Sequence, residues 1–286
     1  MPELPEVETI ASGLLPMLAD QTIEKVTILN DSSVEGRYFA LEHFVAGRKI
    51  THVYRRGKLL LMDLSIPKEY ENELPVPRSE YPLQLAFHLK MSGRLFVYPH
   101  ETPPARHTRI IFDLSNGNRL FFDDMRKFGF CRAMAPCDFL NWQFWQQLGP
   151  EPLTIKTEDF VALFHSRRTR IKAALLDQKV LAGIGNIYAD ESLFRAGIRP
   201  DKPANEISKK DLGLLHVKIK EVLKQAILEC GSSIRDYRDA HGDAGAFQNK
   251  FLVYGRTGQD CRVCGQPLKT EKIAGRTTVF CENCQK

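Results

Sequence analysis

Val7, Ile10, Leu14 and Met17 recur at helical spacing behind the acidic residues Glu3, Glu6 and Glu8. The pattern predicts an N-terminal helix with residues 1–4 as a short arm ahead of it. Strand patterns follow over Thr22–Leu29, Lys49–Leu64, Leu83–Tyr98, Arg109–Leu114 and Arg119–Phe122, and Asn116-Gly117 between the last two is a hairpin turn. Pro67, Pro75, Pro77 and Pro82, set among glutamates, make Ser65–Pro82 a polar surface loop, too long for a hairpin connection and so read as an insertion. The texture changes near Gly149-Pro150, and helical periodicity then runs to Cys230. Ser208 and Asp211 form a capping box ahead of Leu215, Ile219, Val222, Leu223, Ala226 and Ile227, the clearest helix of the chain. Gly231–Asn249, rich in Gly, Ser and Asp, reads as a mobile loop, and a short cysteine-bracketed β unit closes the chain. The expected class is α+β, divided into a β-rich domain over 1–148, a helical domain over 149–250 and a metal-stapled hairpin over 251–286.

Composition narrows the class of partner. A chain of 286 residues, 43% apolar, suits two domains of ordinary size with real cores. No run of eighteen apolar residues occurs, and the acidic N-terminus lacks the basic and apolar regions of a signal peptide. The net charge of +5 allows a polyanion partner without requiring one. The charge is uneven, however: residues 250–286 carry seven Lys/Arg against three Asp/Glu. Arg167, Arg168, Arg170 and Lys172 put four cations into six residues, as a solvated helix face or a phosphate-facing ridge. Cys131, Cys137 and Cys230 show no pairing pattern, and free thiols without an export signal fit a reducing cytoplasm.

Several short stretches carry chemistry. Cys261-x2-Cys264-x16-Cys281-x2-Cys284 has the spacing of a closed four-thiolate zinc site, structural in kind. Gly275-Arg276 between its knuckles would form a pinned turn presenting Arg276 to a phosphate. Gly183-Ile184-Gly185-Asn186 lacks the third glycine and the preceding strand of a dinucleotide loop. It fits the turn of a helix–turn–helix, whose backbone amides and Asn186 would hold phosphates. Lys58 opens an apolar strand, Met91 lies where a turn would expose it, and Arg126 and Phe128 share one face of an extended segment. An exposed Met with an Arg–Phe pair makes a wedge for a base stack. Removal of Met1 would leave Pro2 with a free secondary amine one residue from the Glu3 carboxylate, the pairing that imine chemistry needs. An α-amine titrates near ~7.7–8.0 and a lysine near ~10.4, so at pH 7 roughly a tenth of such termini are neutral and nucleophilic.

Together these stretches resemble the bacterial formamidopyrimidine-DNA glycosylase family over the whole chain. The resemblance rests on MPELPEVET, HLKMSGRL, DDMRKFG, the run from Asp177 through GIGNIYADESL, VYGR and the terminal FCENCQ, in that order. It implies a β-sandwich N-terminal domain with its helix, a helix–two-turn–helix domain and a four-cysteine zinc hairpin holding one structural Zn2+. It also implies excision of oxidised purines (formamidopyrimidines and 8-oxoguanine) from duplex DNA, followed by cleavage at the abasic site through β,δ-elimination. Carried onto this chain, Pro2 is the nucleophile and Glu3 moves the proton at the sugar. Lys58 assists the elimination, and Arg276 binds the lesion phosphate. His107, Arg126, Arg168 and Asn186 fall on DNA-contact positions. Met91, Arg126 and Phe128 look like the triad that fills the gap left by the flipped base, and Gly231–Asn249 would cap that base. The implied partner is duplex DNA bearing oxidised bases or abasic sites. A monomer acting in the cytoplasm at the nucleoid, with no membrane attachment, completes the expectation.

The chain departs from the family pattern at Lys90 (glycine is usual), Leu59 (tyrosine), Arg109 (a second histidine) and in the length of Ser65–Pro82. Two other readings compete. Endonuclease VIII shares the fold and the lyase chemistry but prefers oxidised pyrimidines. Leu4 between Glu3 and Pro5, with the intact Met91/Arg126/Phe128 pattern, favours the purine enzyme. The other competitor is a zinc-ribbon protein that recognises damage without catalysing, which the presence of Pro2 and Glu3 disfavours.

Overall fold

The structure, a computed structural model, describes residues 1–36, 38–65, 83–134, 138, 141–233 and 237–286. The predicted loop at Ser65–Pro82, apart from Ser65, and Cys137 therefore lie outside the described residues. Contacts divide the chain into two compact units. The first comprises residues 1–2, 6–146 and 232–245, and the second comprises 3–5, 147–231 and 246–286.

Helix α1 (Leu4–Leu18), which belongs to the first unit from Glu6 onward, is followed there by β1 (Thr22–Ile28), α2 (Tyr38–Val45), β2 (Arg48–Arg56) and β3 (Leu59–Leu64). Then come β4 (Leu83–His88), β5 (Gly93–Pro99), β6 (Thr108–Leu114), β7 (Asn118–Asp124), β8 (Phe130–Met134) and the short α3 (Gln143–Gln146). The described strands form one hydrogen-bonded order, β5-β7-β6-β1-β2-β3-β4-β8. Its halves are joined through the short pairing of Thr22 and Ile23 with Lys49 and Arg48, and they fold face to face. Phe87 of β4 meets Phe112 of β6 and Phe122 of β7 edge-on, at 5.9 and 5.6 Å between ring centroids. All three rings join Val7, Ile10 and Leu14 of α1 in one core, so the sandwich and its N-terminal helix share a single apolar interior.

Residues 232–245, predicted as part of a mobile loop, pack within this unit. The Ser232 N–H donates to Glu6 Oε1 at 2.8 Å, and Ala240 is buried in the same core as α1. Three further differences from the sequence pattern have physical causes. Lys49–Leu64 reads as one strand pattern but breaks at Gly57-Lys58, where Gly57 takes φ +59° and reverses the chain. Leu83–Tyr98 likewise divides at Leu89–Ser92, where Lys90 adopts φ +47°. Strand β8 goes unpredicted because its buried positions do not alternate along the strand and its pairing with β4 is remote in sequence.

The second unit holds α4 (Thr157–His165), α5 (Ile171–Leu176), α6 (Asn186–Ala196), α7 (Lys209–Leu228) and the hairpin β9 (Lys269–Ile273) and β10 (Arg276–Phe280). The predicted capping box opens α7: the Asp211 N–H donates to Ser208 Oγ at 3.1 Å. Its Leu215, Ile219, Val222, Leu223 and Ala226 face a core of Phe160, Phe164, Leu175, Tyr188 and Leu193, and Leu4 from the N-terminal arm lies in that same core. No described helix is long and apolar enough to cross a membrane.

Candidate functional site

The Gly183–Asn186 turn and the N-terminal arm are built around each other. Leu4 donates its N–H to Gly183 O at 3.0 Å, and Gly183 takes φ +90° with the Leu4 side chain against it. The Glu3 carboxylate lies over the first turn of α6 and accepts the Ile187 N–H at Oε1, 3.1 Å away. A Cβ at residue 185 would stand 2.3 Å from the Glu3 carboxyl carbon, so only glycine admits this approach. Gly185 is the N-cap of α6 and offers no side-chain oxygen. The carboxylate of Glu3 supplies that missing acceptor and faces the positive end of the helix. The turn was expected to offer its amides to phosphate. The next amide along, that of Ile187, holds the Glu3 carboxylate, and Pro2 is buried.

Behind the same helix a buried ionic cluster ties α5 and α6 to the hairpin. Lys172 Nζ sits 2.6 Å from Asp190 Oδ1 and donates to Thr278 Oγ1 at 2.6 Å; both charged side chains are fully buried. Burial pushes the Asp190 carboxyl up to about 7 against the pull of Lys172, and burial holds the Lys172 ammonium down. Asn186 Nδ2 donates to Thr277 O at 3.0 Å, so α6 grips β10 one residue from Arg276. Arg276 itself is exposed at the start of β10. It follows a two-residue turn in which Ala274 and Gly275 both have positive φ (49° and 71°) and Ile273 pairs with Arg276. Of the four-cation run, Lys172 is thus neither solvated nor phosphate-facing, whereas Arg168 is exposed between α4 and α5. Glu191, next to Asp190, accepts the N–H groups of Leu252, Val253 and Tyr254 at 2.9–3.0 Å, anchoring the VYGR stretch. Sequence reading passed over Asp190 and Glu191, since a charge on a helix usually marks a solvated face.

The four cysteine sulfurs lie within 4.8 Å of one another. Cys261 and Cys284 Sγ are 3.9 Å apart, and Cys264 and Cys281 Sγ 3.5 Å. A tetrahedron with Zn–S bonds of ~2.3 Å has sulfurs about 3.8 Å apart, so the cluster fits one closed zinc site.

The first unit carries the other predicted residues. Lys58 is buried at the β2–β3 turn, next to Leu59, which pairs with His88. His88 is buried and accepts the Lys90 N–H at Nδ1, 3.1 Å away. Burial, with Lys90 and Lys58 nearby, lowers its pKa to about 3. Met91 is exposed on the β4–β5 turn. Phe128 is exposed on the β7–β8 turn with the Arg126 guanidinium over its ring at 4.9 Å. His107 is half-buried, and its carbonyl accepts the Asp124 N–H at 2.9 Å. Arg109 is buried and donates from Nε to Asp124 O at 2.7 Å, a structural partner within the fold.

Comparison with known proteins places these features in a family. Residues 1–131 match the family described as Formamidopyrimidine-DNA glycosylase N-terminal domain, residues 148–238 its H2TH domain, and residues 258–286 the Zinc finger found in FPG and IleRS. The chain is 45% identical to the formamidopyrimidine-DNA glycosylase of Nitratidesulfovibrio vulgaris and 40% identical to that of Desulfitobacterium hafniense, each pair covered in full. Among solved structures it resembles wild-type Lactococcus lactis Fpg bound to an N7-benzyl-Fapy-dG DNA (32% identity, TM-score 0.87, both chains covered in full). It also resembles L. lactis Fpg bound to abasic-site DNA (32%, 0.87, 99% of each chain) and to DNA with an oxidised pyrimidine (31%, 0.86, both chains in full).

Proposed function

The chain belongs to the formamidopyrimidine-DNA glycosylase family, and from that premise we propose how its own residues divide the reaction. The enzyme is a DNA glycosylase and AP lyase of base excision repair, its partner is damaged DNA, and its four cysteines hold one structural zinc ion. In our reading, loss of Met1 frees the Pro2 amine. Its nitrogen bonds to C1′ of the damaged nucleotide as the bond to the base breaks, and the departing base takes up a proton. The amine then sheds its proton and the C1′–O4′ bond opens, O4′ taking up a proton, to leave an iminium that acidifies C2′; loss of the C2′ proton expels the 3′ phosphate, and loss of the C4′ proton then expels the 5′ phosphate. Glu3 moves the proton at the sugar ring, Lys58 assists the elimination and Arg276 binds the lesion phosphate. The carrying observation is the Glu3 clamp: a glycine that admits no Cβ and a helix N-terminus together hold the acid next to the nucleophile.

Base removal requires the nucleotide to leave the stack, at a cost of a few kcal/mol. Exposed Met91, Arg126 and Phe128 supply the wedge that offsets this cost, while His107, Arg168 and Asn186 engage the backbone. We further assign a monomer working in the cytoplasm at the nucleoid, with oxidised purines preferred. The L. lactis complex with an oxidised pyrimidine favours a second reading with a wider lesion range. Excision of 8-oxoguanine opposite cytosine should exceed that of thymine glycol, and the reverse order would replace the purine assignment. Borohydride trapping on abasic DNA tests the nucleophile: the Met1-processed protein should give a covalent adduct mapping to Pro2 by peptide mass spectrometry. Full trapping by protein that retains Met1 would place the nucleophile elsewhere.

A further inference from the structure

Asp124 ends β7 with no solvent exposure. Its carboxylate is filled by groups from two turns. Ser92 Oγ–H donates to Oδ1 at 2.5 Å, the Arg126 N–H donates to Oδ1 at 3.2 Å and to Ser92 Oγ at 3.0 Å, and the Gly129 N–H donates to Oδ2 at 2.7 Å. Ser92 directly follows Met91; Arg126 and Gly129 bracket Phe128. One carboxylate therefore holds the turn that presents Met91 and the turn that presents Arg126 and Phe128. Its main chain is fixed as well, by Arg109 Nε on its carbonyl and by its own N–H on His107 O.

Both turns need such a clamp. Each contains a non-glycine residue in the left-handed region, Lys90 at φ +47° and Lys127 at φ +58°. Such a conformation is disfavoured for a residue with a side chain, and it persists only where the surroundings enforce it. The turn residues Met91, Met125 and Phe128 are all substantially exposed, so apolar packing does not enforce it. Charge-assisted hydrogen bonds to a buried carboxylate do, and they are stronger than neutral ones.

We infer that Asp124, through Ser92, is the positioning residue for both halves of the wedge, holding Met91 and the Arg126–Phe128 pair ready before DNA arrives. The inference rests on the wedge role proposed above. A prepositioned wedge enters a base stack without first ordering its own backbone, so its loss should matter only where there is a stack to open.

The test compares duplex and single-stranded substrates. In Asp124→Asn the amide nitrogen cannot accept an N–H, so one clamp arm opens. Ser92→Ala opens the Met91 arm alone and guards against misfolding of the buried variant. Single-turnover excision of 8-oxoguanine from a duplex should fall at least tenfold in Asp124→Asn and several-fold in Ser92→Ala. Borohydride trapping on a single-stranded abasic oligonucleotide should stay within twofold of wild type. On a Phe128→Ala background Asp124→Asn should cost little more, because the wedge is already blunted. Equal losses on both substrates, or no loss on the duplex, in both clamp variants would overturn the inference. A slow Phe128→Ala beside clamp variants of normal duplex rate would overturn it while leaving the wedge standing. Normal duplex excision by Phe128→Ala would remove the wedge reading itself and the inference with it.

Discussion

At the scale of single residues the structure assigns jobs by burial. His88 accepts a main-chain N–H through Nδ1, which only the neutral ring can do, and its folded pKa lies near 3 against about 6.5 unfolded. For a depressed pKa the stabilising contribution is complete above the unfolded value and is lost as pH falls through the folded one. Between pH 6.5 and 3 the wild type should therefore lose stability faster than His88→Gln, by up to about 1.4 kcal/mol per pH unit. Urea unfolding across that range measures it, and parallel profiles would show that His88 is not held neutral by the fold. The chemistry-bearing residue types at Pro2, Glu3 and the four cysteines stand out in the sequence because neighbours or fixed spacing mark them. Asp124, Lys172 and Asp190 do not. Each is a charge with at least one partner remote in the chain (Ser92 meets Asp124 across 32 positions, Lys172 reaches Thr278 across 106), and such a charge reads as solvated until the fold is known.

Among the elements, helices were the most legible, since a 3.6-residue period survives wherever one face is buried, as in α1 and α7. Strand ends were not: β2 and β3 read as one strand pattern, and the positive φ of Gly57 marks the reversal. The hairpin β9–β10 was marked at its base by cysteine spacing, but its attachment to α5 and α6 through Lys172, Asp190 and Asn186 was hidden. An element this short, with most of β9 exposed, draws its stability from the metal and from that attachment. A strong chelator should release one zinc per chain, detected with a metallochromic dye, and abolish DNA binding in fluorescence anisotropy. Retention of full affinity by zinc-free protein would show that the hairpin does not depend on its metal.

For the whole molecule, a net charge of +5 supports phosphate contacts that carry affinity without sequence preference, as an enzyme scanning for rare damage requires. Arg276→Ala should weaken DNA binding and flatten the dependence of log K on log salt by about 0.9, one phosphate contact. A salt titration by anisotropy gives the slope, and an unchanged slope would remove Arg276 from the phosphate contacts. The composition of the two units has one more consequence. Residues 3–5 belong to the helical unit and put Leu4 into its core, whereas 232–245, drawn from between helical segments, belong to the sandwich unit. The halves are thus not cassettes that recombination could trade at a single breakpoint near residue 147. Cut there and made separately, the helical half would lack a core leucine and the acid that caps its helix, and the sandwich half would lack the buried Ala240.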